Sequence, residues 1–149
     1  MRIYPDTSFL VSWLYPHDKN HAKAAAWFAR RQTDEWIVSP WAEFETVNSL
    51  RGLVLQRPGP TAAAMEGRRR YFKHLFRAGP LERESVDWED VLKDAHQVSS
   101  ALAVRQRARA ADVLHVAILE QINPDVFVTF DGDQAALATA RGFQSVHLH

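Results

Sequence analysis

The sequence predicts an α/β protein with helices on both faces of a short, mostly parallel sheet. Short apolar runs bounded by turn residues alternate with longer segments whose apolar residues recur at helical spacing. The chain has 149 residues, 46% of them hydrophobic, which is enough for one ordinary core. It contains no internal repeat and no linker long enough to separate domains, so we expect a single domain over residues 1–149.

The first half of the chain contains two of the expected strands. An apolar opening predicts a strand at 2–5, and a second apolar run at 36–39 is stopped by Pro40. The expected helices cover about 9–14, 19–32, 41–55 and 61–77. The apolar stripe of the third helix consists of Phe44, Val47, Leu50 and Val54.

The second half repeats the alternation. Helices are expected at about 87–104 and 112–121, and the second of these is strongly apolar. A strand at 126–130 follows a turn that contains Asn123 and Pro124. A helix at 134–141, with Gly142 as its C-cap, leads to a last strand at 145–148.

Composition excludes several classes of protein. No apolar run approaches the roughly 20 residues of a membrane span, and the N-terminus lacks the pattern of a signal peptide. Cysteine is absent, which excludes disulfides and thiolate metal sites. Eighteen basic and eighteen acidic residues cancel, so net charge does not indicate nucleic-acid binding. We expect a soluble cytoplasmic protein.

Four carboxylates lie where a metal site requires them: Asp6, Glu45, Asp112 and Asp131. Asp6 follows the first strand, and Asp131 follows the strand at 126–130. If these strands are parallel, both acids emerge at the carboxyl edge of the sheet, where open α/β sheets bind ligands. Hard oxygen donors at that edge suit Mg²⁺ or Mn²⁺.

Each acid also has a purely structural explanation. Asp6 and Asp112 precede apolar helical segments and are suited to cap them. Asp133 is well placed to cap the helix that begins near Gln134. Glu45 lies in the first turns of its helix, where acidic residues interact favourably with the helix dipole.

The combination of the four acids favours a shared cation. Glu45 flanks the apolar stripe of its helix, and Asp112 lies on a helix so apolar that it must be largely buried. An unpaired buried carboxylate is costly. No Lys or Arg immediately adjoins these acids in the sequence, so we expect a divalent cation to balance them.

Four segments of the chain, in this order, resemble PIN-domain nucleases, in particular VapC-type toxins of toxin–antitoxin pairs. They are Asp6-Thr7-Ser8, Glu45-Thr46-Val47-Asn48-Ser49-Leu50-Arg51, Asp112-Val113-Leu114-His115-Val116-Ala117 and Thr129-Phe130-Asp131. The resemblance implies a three-layer α/β/α sandwich with a sheet of four to five strands. It also implies Mg²⁺- or Mn²⁺-dependent RNA cleavage by metal-activated water, a homodimer, and a small antitoxin protein as inhibitor.

The same resemblance assigns site residues. Asp6, Glu45 and Asp112 match the acidic core of the family, and Asp131 matches its more variable fourth acid. The polar residues that match supporting positions are Thr7, Ser8, Asn48 and Thr129.

Three further residues remain open at this point. Helical periodicity does not choose between Glu45 and Glu43, and Asp133 is an alternative to Asp131. His115 lies one helical turn after Asp112, where it is either a ligand of the site or a hydrogen-bonded core histidine.

Basic residues supply candidates for binding the RNA backbone, with a solvated helix face as the alternative explanation. They are Arg68, Arg69, Arg70, Lys73, Arg105, Arg107 and Arg109. A groove for the antitoxin is expected around Trp13, Leu14, Trp27 and Phe28. The alternatives to a toxin are an RNA-processing nuclease without an antitoxin and a PIN-fold binding module without catalytic activity.

Overall fold

A five-stranded, all-parallel sheet with the strand order β3-β2-β1-β4-β5 forms the centre of the protein. The computed structural model describes residues 1–102, 105–106 and 108–149. The strands are β1 (Arg2–Pro5), β2 (Glu35–Val38), β3 (Leu81–Arg83), β4 (Val126–Thr129) and β5 (Ser145–His147). The helices are α1 (Thr7–Leu14), α2 (His21–Ala29), α3 (Pro40–Gly52), α4 (Ala62–Ala78), α5 (Trp88–Leu102), α6 (Ala110–Ile122) and α7 (Gly132–Ala140). A 3₁₀ turn (Leu53–Leu55) extends α3.

The helices form two packed groups. Helices α1 to α4 pack on one another, and α5 to α7 pack on one another. The chain moves from β1 outward to β3 in the first half and from β4 outward to β5 in the second, so right-handed crossovers place the two groups on opposite faces of the sheet. The result is the three-layer sandwich expected from the sequence.

The strand order reverses direction between β1 and β4. These central strands are paired in parallel, with Pro5 opposite Val128. The connection after β1 runs to one side of the sheet and the connection after β4 runs to the other, which opens a crevice at their carboxyl ends. The residues that follow the two strands, Asp6 and Phe130, therefore stand at the place where open α/β sheets bind ligands.

Aromatic side chains make up much of the core beneath this crevice. Trp36 and Phe9 are fully buried, and their rings stack with centroids 5.5 Å apart. Trp27 meets both rings edge-on. Burying side chains of this size stabilises the fold by roughly 1.5–3 kcal/mol each. In the described part of the chain, no helix is both long and apolar enough to cross a membrane.

Three features differ from the sequence prediction. Strand β3 was not expected, because two of its three residues are exposed and charged and it lies at the edge of the sheet. Phe44 was predicted to belong to a buried stripe, but it is 60% exposed; the buried positions of α3 are Ala42, Thr46 and Leu50. Helix α2 is shorter than predicted, because residues 30–33 form turns.

Two residues of the predicted antitoxin groove belong to the core instead. Leu14 of α1 and Trp27 of α2 are buried, whereas Trp13 and Phe28 are partly exposed and stack with ring centroids 4.2 Å apart. Only the latter pair is accessible at the surface.

Side chains at the helix starts fix where several helices begin. Asp6 and Asp131 accept backbone N–H groups at the starts of α1 and α7, and Ser39 does so for α3. The prediction that Asp133 caps the last helix is wrong, since its own N–H donates to the Asp131 carboxylate. The C-cap of α7 is Arg141, one residue before the predicted Gly142, and Gly142 follows it in the left-handed conformation, with φ of 90°.

Candidate functional site

All four acids predicted from the sequence line one open cleft of about 580 Å³ at the crevice between β1 and β4. We call it the carboxylate cleft. Its lining residues include Asp6, Thr7, Ser8, Ser12, Lys19, Glu45, Ser49, Arg109, Asp112, His115, Asp131 and Gln134. Asp6 comes from the end of β1, Glu45 from α3, Asp112 from α6 and Asp131 from the start of α7. Residues far apart in the sequence thus converge on one surface.

Asp6 is buried at the floor of the carboxylate cleft. Its Oδ1 accepts the Phe9 N–H at 2.8 Å, and its Oδ2 accepts the Thr129 hydroxyl at 2.7 Å. Ser8 Oγ lies 2.8 Å from both oxygens. Burial raises the pKa of Asp6, although these donors and His115 counteract it. The carboxylate is held in one orientation by three residues.

Two hydroxyl groups link the loops that follow β1 and β4. Ser8 Oγ accepts the Phe130 N–H at 2.9 Å, and Thr129 Oγ1 accepts the Asp131 N–H at 2.8 Å. Both hydroxyls also donate to Asp6. The supporting role expected for Ser8 and Thr129 therefore has a clear geometric basis.

The guanidinium of Arg109 bridges the carboxylates of Asp112 and Asp131. Its Nε lies 3.2 Å from Oδ2 of Asp112, and its Nη2 lies 3.2 Å from Oδ2 of Asp131. Its backbone N–H also donates to Asp112 Oδ2, at 2.9 Å. No Lys or Arg adjoins these acids in the sequence, but Arg109 pairs with Asp112 because residues three positions apart are neighbours at the start of a helix.

Glu45 is held by a chain of hydrogen bonds that extends into the core. Its Oε2 accepts a hydrogen bond from the Thr7 hydroxyl and lies 2.8 Å from Nε2 of His115. On the other side of the imidazole, Nδ1 lies 3.2 Å from the Tyr4 hydroxyl, which lies 2.7 Å from Ser39 Oγ. A carboxylate can only accept, so Nε2 donates to Glu45, and a neutral imidazole then accepts from Tyr4.

Burial and hydrogen bonding shift the pKa of Glu45 in opposite directions. Burial raises the pKa of Glu45, but hydrogen bonds from His115 and Thr7 and the charge of Arg109 outweigh it, so the pKa lies below its usual value. Glu45 is thus ionised, with its second oxygen, Oε1, free of hydrogen bonds to the described residues. Burial also raises the pKa of Tyr4, which keeps its proton for the hydrogen-bond chain.

The structure places two of the alternative site residues outside the carboxylate cleft. Both oxygens of Glu43 bind the guanidinium of Arg83, at 2.7 and 2.8 Å. Asp133 is exposed on the first turn of α7. Asn48, expected as a supporting residue, is exposed and lines a separate apolar hollow between α3 and α4. Ser49 lines the carboxylate cleft in its place, one helical turn after Glu45.

His115, which the sequence left open as a site ligand or a core histidine, is a hydrogen-bonded core histidine at the edge of the cleft. It is 1% exposed, as a core histidine would be, and it also lines the cleft through its contact with Glu45. It therefore connects the core to the site.

Among the predicted RNA-binding residues, Arg109 lines the carboxylate cleft. Arg69 pairs with Glu66 on the surface of α4, and Arg68 borders another hollow beside it. The predicted residues on α4 are Arg68, Arg69, Arg70 and Lys73, and the helix does not line the cleft. Arg105 is exposed between α5 and α6, and Arg107 lies outside the described residues.

Sequence reasoning missed Lys19, Ser12 and Gln134 as lining residues. Lys19 lies in the turn between α1 and α2, which faces the cleft only once the helices pack. Nothing in its sequence neighbourhood indicates this position. Ser49, in contrast, was detectable, because it follows Glu45 at the four-residue spacing of a helix face.

The carboxylate and hydroxyl oxygens that line the cleft are the ligand types that a hard divalent cation such as Mg²⁺ prefers. In residues 1–102, 105–106 and 108–149, however, no three acidic or histidine side chains are close enough together to form a ready-made metal site. Arg109 occupies the gap between Asp112 and Asp131. An ion held by the Oδ2 atoms of both acids requires this guanidinium to move.

Comparison with known proteins identifies the family. The model of the PIN domain matches residues 3–140, which include every acid of the carboxylate cleft. The chain belongs to the PIN domain family. A search of curated protein sequences gave no match.

Several solved structures have a similar fold, and the similarity covers nearly the whole length of this PIN chain. VapC20 of Mycobacterium tuberculosis, described as a sarcin-ricin loop cleaving toxin, has a TM-score of 0.71 and 20% identity, covering 98% of this chain and 99% of VapC20. VapBC2 of Rickettsia felis, bound to a promoter DNA fragment, has a TM-score of 0.68 and 11% identity, with 100% of both chains covered. FitAcB of Neisseria gonorrhoeae has a TM-score of 0.64 and 18% identity, covering 97% and 96%.

Proposed function

We propose that this PIN domain is a metal-dependent endoribonuclease that hydrolyses RNA phosphodiester bonds. The observation that carries the proposal is the convergence of Asp6, Glu45, Asp112 and Asp131 in one open cleft at the crevice of the sheet. Helix capping by Asp6 and Asp131 does not by itself require four acids to share one cleft, where clustered carboxylates repel one another and two are largely buried. A hard divalent cation, Mg²⁺ or Mn²⁺, removes that cost.

Two carboxylates that we propose to bind the ion are held in fixed orientations by neighbouring side chains. Asp6 is fixed by Ser8 and Thr129, and Glu45 is fixed by Thr7 and His115. Both carboxylates are thereby oriented before any ligand arrives, which lowers the entropy lost on binding. When bound, the cation lowers the pKa of water and balances the charge of the scissile phosphate.

Two basic side chains at the rim are suited to position the RNA backbone. Lys19 and Arg109 both line the carboxylate cleft, although they lie far apart in the sequence. Phosphate contacts of this kind orient a nucleic acid without reading its sequence. RNA is favoured as the substrate because the chain resembles PIN-domain ribonucleases, and VapC20, which has a similar fold over nearly the whole chain, is described as a sarcin-ricin loop cleaving toxin. By resemblance to the family, the products carry a 3′-hydroxyl and a 5′-phosphate.

The biological role that we favour is that of a toxin held inactive by a small antitoxin in the cytoplasm. Its support is the set of solved structures with similar fold: VapBC2, FitAB bound to DNA, and VapBC-1 of Haemophilus influenzae are toxin–antitoxin assemblies. By the same resemblance the active form is a homodimer. An RNA-processing nuclease without an antitoxin is the second candidate.

The nuclease proposal is tested with purified protein and matched single-stranded RNA and DNA oligonucleotides of mixed sequence. We expect the RNA to be cut in Mg²⁺ or Mn²⁺ and to remain intact in EDTA. Mass spectrometry of the fragments identifies the new ends. Cleavage of DNA in preference to RNA would contradict the substrate, and undiminished cleavage in EDTA would contradict metal dependence.

The toxin proposal is tested by expression in bacteria. The wild-type chain should slow growth, an Asp112→Asn variant of equal abundance should not, and coexpression of the neighbouring small reading frame should restore growth. A wild-type chain that cuts RNA in vitro but is harmless in cells and copurifies with no small protein would favour the processing nuclease.

A further inference from the structure

We infer that Arg109 is an internal counter-cation, which occupies the gap between Asp112 and Asp131 in the metal-free protein and is displaced when a divalent cation binds. The inference rests on the proposed metal site. Its direct support is that one guanidinium lies 3.2 Å from an oxygen of each acid, using Nε for Asp112 and Nη2 for Asp131. These two acids come from different helices, α6 and α7. Arg109 therefore holds together two sides of the cleft that would otherwise repel.

The exposure of the three side chains shows which of them is able to move. The Asp112 side chain is 8% exposed and that of Asp131 is 29% exposed, whereas that of Arg109 is 74% exposed. A mostly solvated guanidinium exchanges its carboxylate contacts for water at little cost. The two carboxylates are therefore fixed, and the guanidinium of Arg109 is the group that moves.

Backbone groups keep both carboxylates in place without the arginine side chain. Asp112 accepts the backbone N–H of residue 109, at 2.9 Å. Oδ1 of Asp131 accepts the N–H groups of Asp133 and Gln134, at 3.0 and 3.1 Å. Release of the guanidinium thus leaves two oriented acids. Oδ2 of Asp131 then has no hydrogen bond to a described residue, and Oδ2 of Asp112 keeps the backbone N–H of residue 109 while its second lone pair is open to an ion. The displaced guanidinium remains at the rim, where the proposed RNA phosphate arrives.

Competition between the guanidinium and the metal predicts the effect of removing the charge. Arg109→Gln should bind Mn²⁺ about three- to tenfold more tightly than the wild type, which corresponds to the loss of two exposed ion pairs. The matched control is Arg105→Gln, which removes the same charge from an exposed residue four positions earlier. It should change Mn²⁺ affinity less than twofold, since it tests only the general electrostatic field. Isothermal titration calorimetry measures all three affinities.

Thermal stability provides a second readout, because the substitution should act differently with and without metal. Without metal, Arg109→Gln should melt at a lower temperature than the wild type, because Asp112 and Asp131 lose their counter-charge. In saturating Mn²⁺ its melting temperature should rise by more than that of the wild type, since tighter binding to the folded state stabilises it further. A merely structural arginine would lower the melting temperature equally in both conditions.

The position of the guanidinium itself is followed by NMR. The Nε–H signal of Arg109, assigned by its absence in Arg109→Gln, should move toward that of a solvated arginine as diamagnetic Mg²⁺ is added. The Arg69 Nε–H, which binds Glu66 at 2.7 Å on α4, is the internal control and should not move.

The outcomes separate this inference from the metal site on which it rests. Equal Mn²⁺ affinity of the wild type and Arg109→Gln, or an Arg109 signal that stays in place at saturating Mg²⁺, would overturn the inference and leave the metal site standing. Absence of Mn²⁺ binding by both proteins would overturn both. Tighter binding by Arg109→Gln than by Arg105→Gln, with a moving Nε–H signal, establishes the displacement.

Discussion

Nε2 of His115 lies 2.8 Å from Oε2 of Glu45, although the two residues are 70 positions apart in the sequence. The histidine is 1% exposed and receives a hydrogen-bond chain from Tyr4 and Ser39, so its ring has little freedom to rotate. Glu45 lies at the solvent side of this chain and lines the cleft. The core of the protein thereby sets the direction of a carboxylate that we propose to bind metal.

Removing the hydrogen bonds of His115 should weaken both metal binding and cleavage. His115→Phe keeps an aromatic ring in the core but cannot donate to Glu45, and loss of such supporting contacts costs about 10- to 100-fold in metal affinity or activity. His115→Gln retains a donor and should recover part of the loss. Mn²⁺ titration and cleavage rates measure the effect. The exposed His74→Gln is the control, and equal activity of His115→Phe and the wild type would contradict a positioning role.

Glu45 and Glu43 should differ sharply on neutralisation. Glu45→Gln removes a cleft carboxylate and should reduce the cleavage rate at least about a hundredfold, on the order of 2.7 kcal/mol of transition-state stabilisation. Glu43→Gln should leave the rate nearly unchanged, since Glu43 binds Arg83 outside the cleft. Loss of this surface pair should lower stability by only about 0.2–1 kcal/mol. The reverse ranking of the two rates would mean that Glu43 faces the substrate.

Asp6→Asn should stabilise the metal-free protein at neutral pH. Burial raises the pKa of Asp6, so the folded state holds its proton more tightly than the unfolded state does. In the wild type, stability is therefore lost as the pH rises from the ordinary aspartate pKa of 3.8 through the raised value. The variant lacks this loss, and its Oδ1 can still accept the Phe9 N–H that caps α1.

Melting temperatures in EDTA at several pH values between 3 and 8 test this prediction about Asp6. The advantage of Asp6→Asn over the wild type should grow with pH. Asp133→Asn, which changes an exposed acid beside the same cleft, should show no such trend. A deficit of Asp6→Asn that is constant across the pH range would instead identify Asp6 as a helix cap alone.

Ser49, and not Asn48, should affect the site. Asn48→Ala changes an exposed side chain on another face of α3 and should leave cleavage unchanged. Ser49→Ala removes a hydroxyl from the cleft one turn after Glu45 and should slow cleavage. Rates measured under identical metal concentrations compare the two. A loss confined to Asn48→Ala would support the role that the family resemblance predicted for that residue.

The parts of the fold that the sequence predicts well are those with local causes. Strands β1 and β4 are short apolar runs, and each is followed within two residues by an acid that caps the next helix. The end of the strand, the capping acid and the start of the helix lie within a few residues of one another. This local pattern therefore predicts the structure without knowledge of tertiary contacts. The positions of Asp6 and Asp131 at one edge of the sheet follow from the parallel pairing of these strands.

The remaining features depend on packing between distant segments. Strand β3 carries Glu82 and Arg83 and exists because it pairs with β2, which no local pattern indicates. The contact between His115 and Glu45 joins α6 to α3 across the sheet edge. Arg109 is intermediate: its pairing with Asp112 follows from helical spacing, but its contact with Asp131 requires the fold.

The cleavage rate of a double variant, Asp6→Asn with Asp112→Asn, tests the central claim most directly. Each substitution replaces an anionic oxygen of the carboxylate cleft with a neutral amide of similar shape, so the folded protein should persist and circular dichroism should match that of the wild type. With RNA and saturating Mg²⁺ or Mn²⁺, we expect cleavage by the wild type and none by the double variant. Cleavage by the folded double variant at the wild-type rate would contradict the assignment of this cleft as a metal-dependent nuclease site.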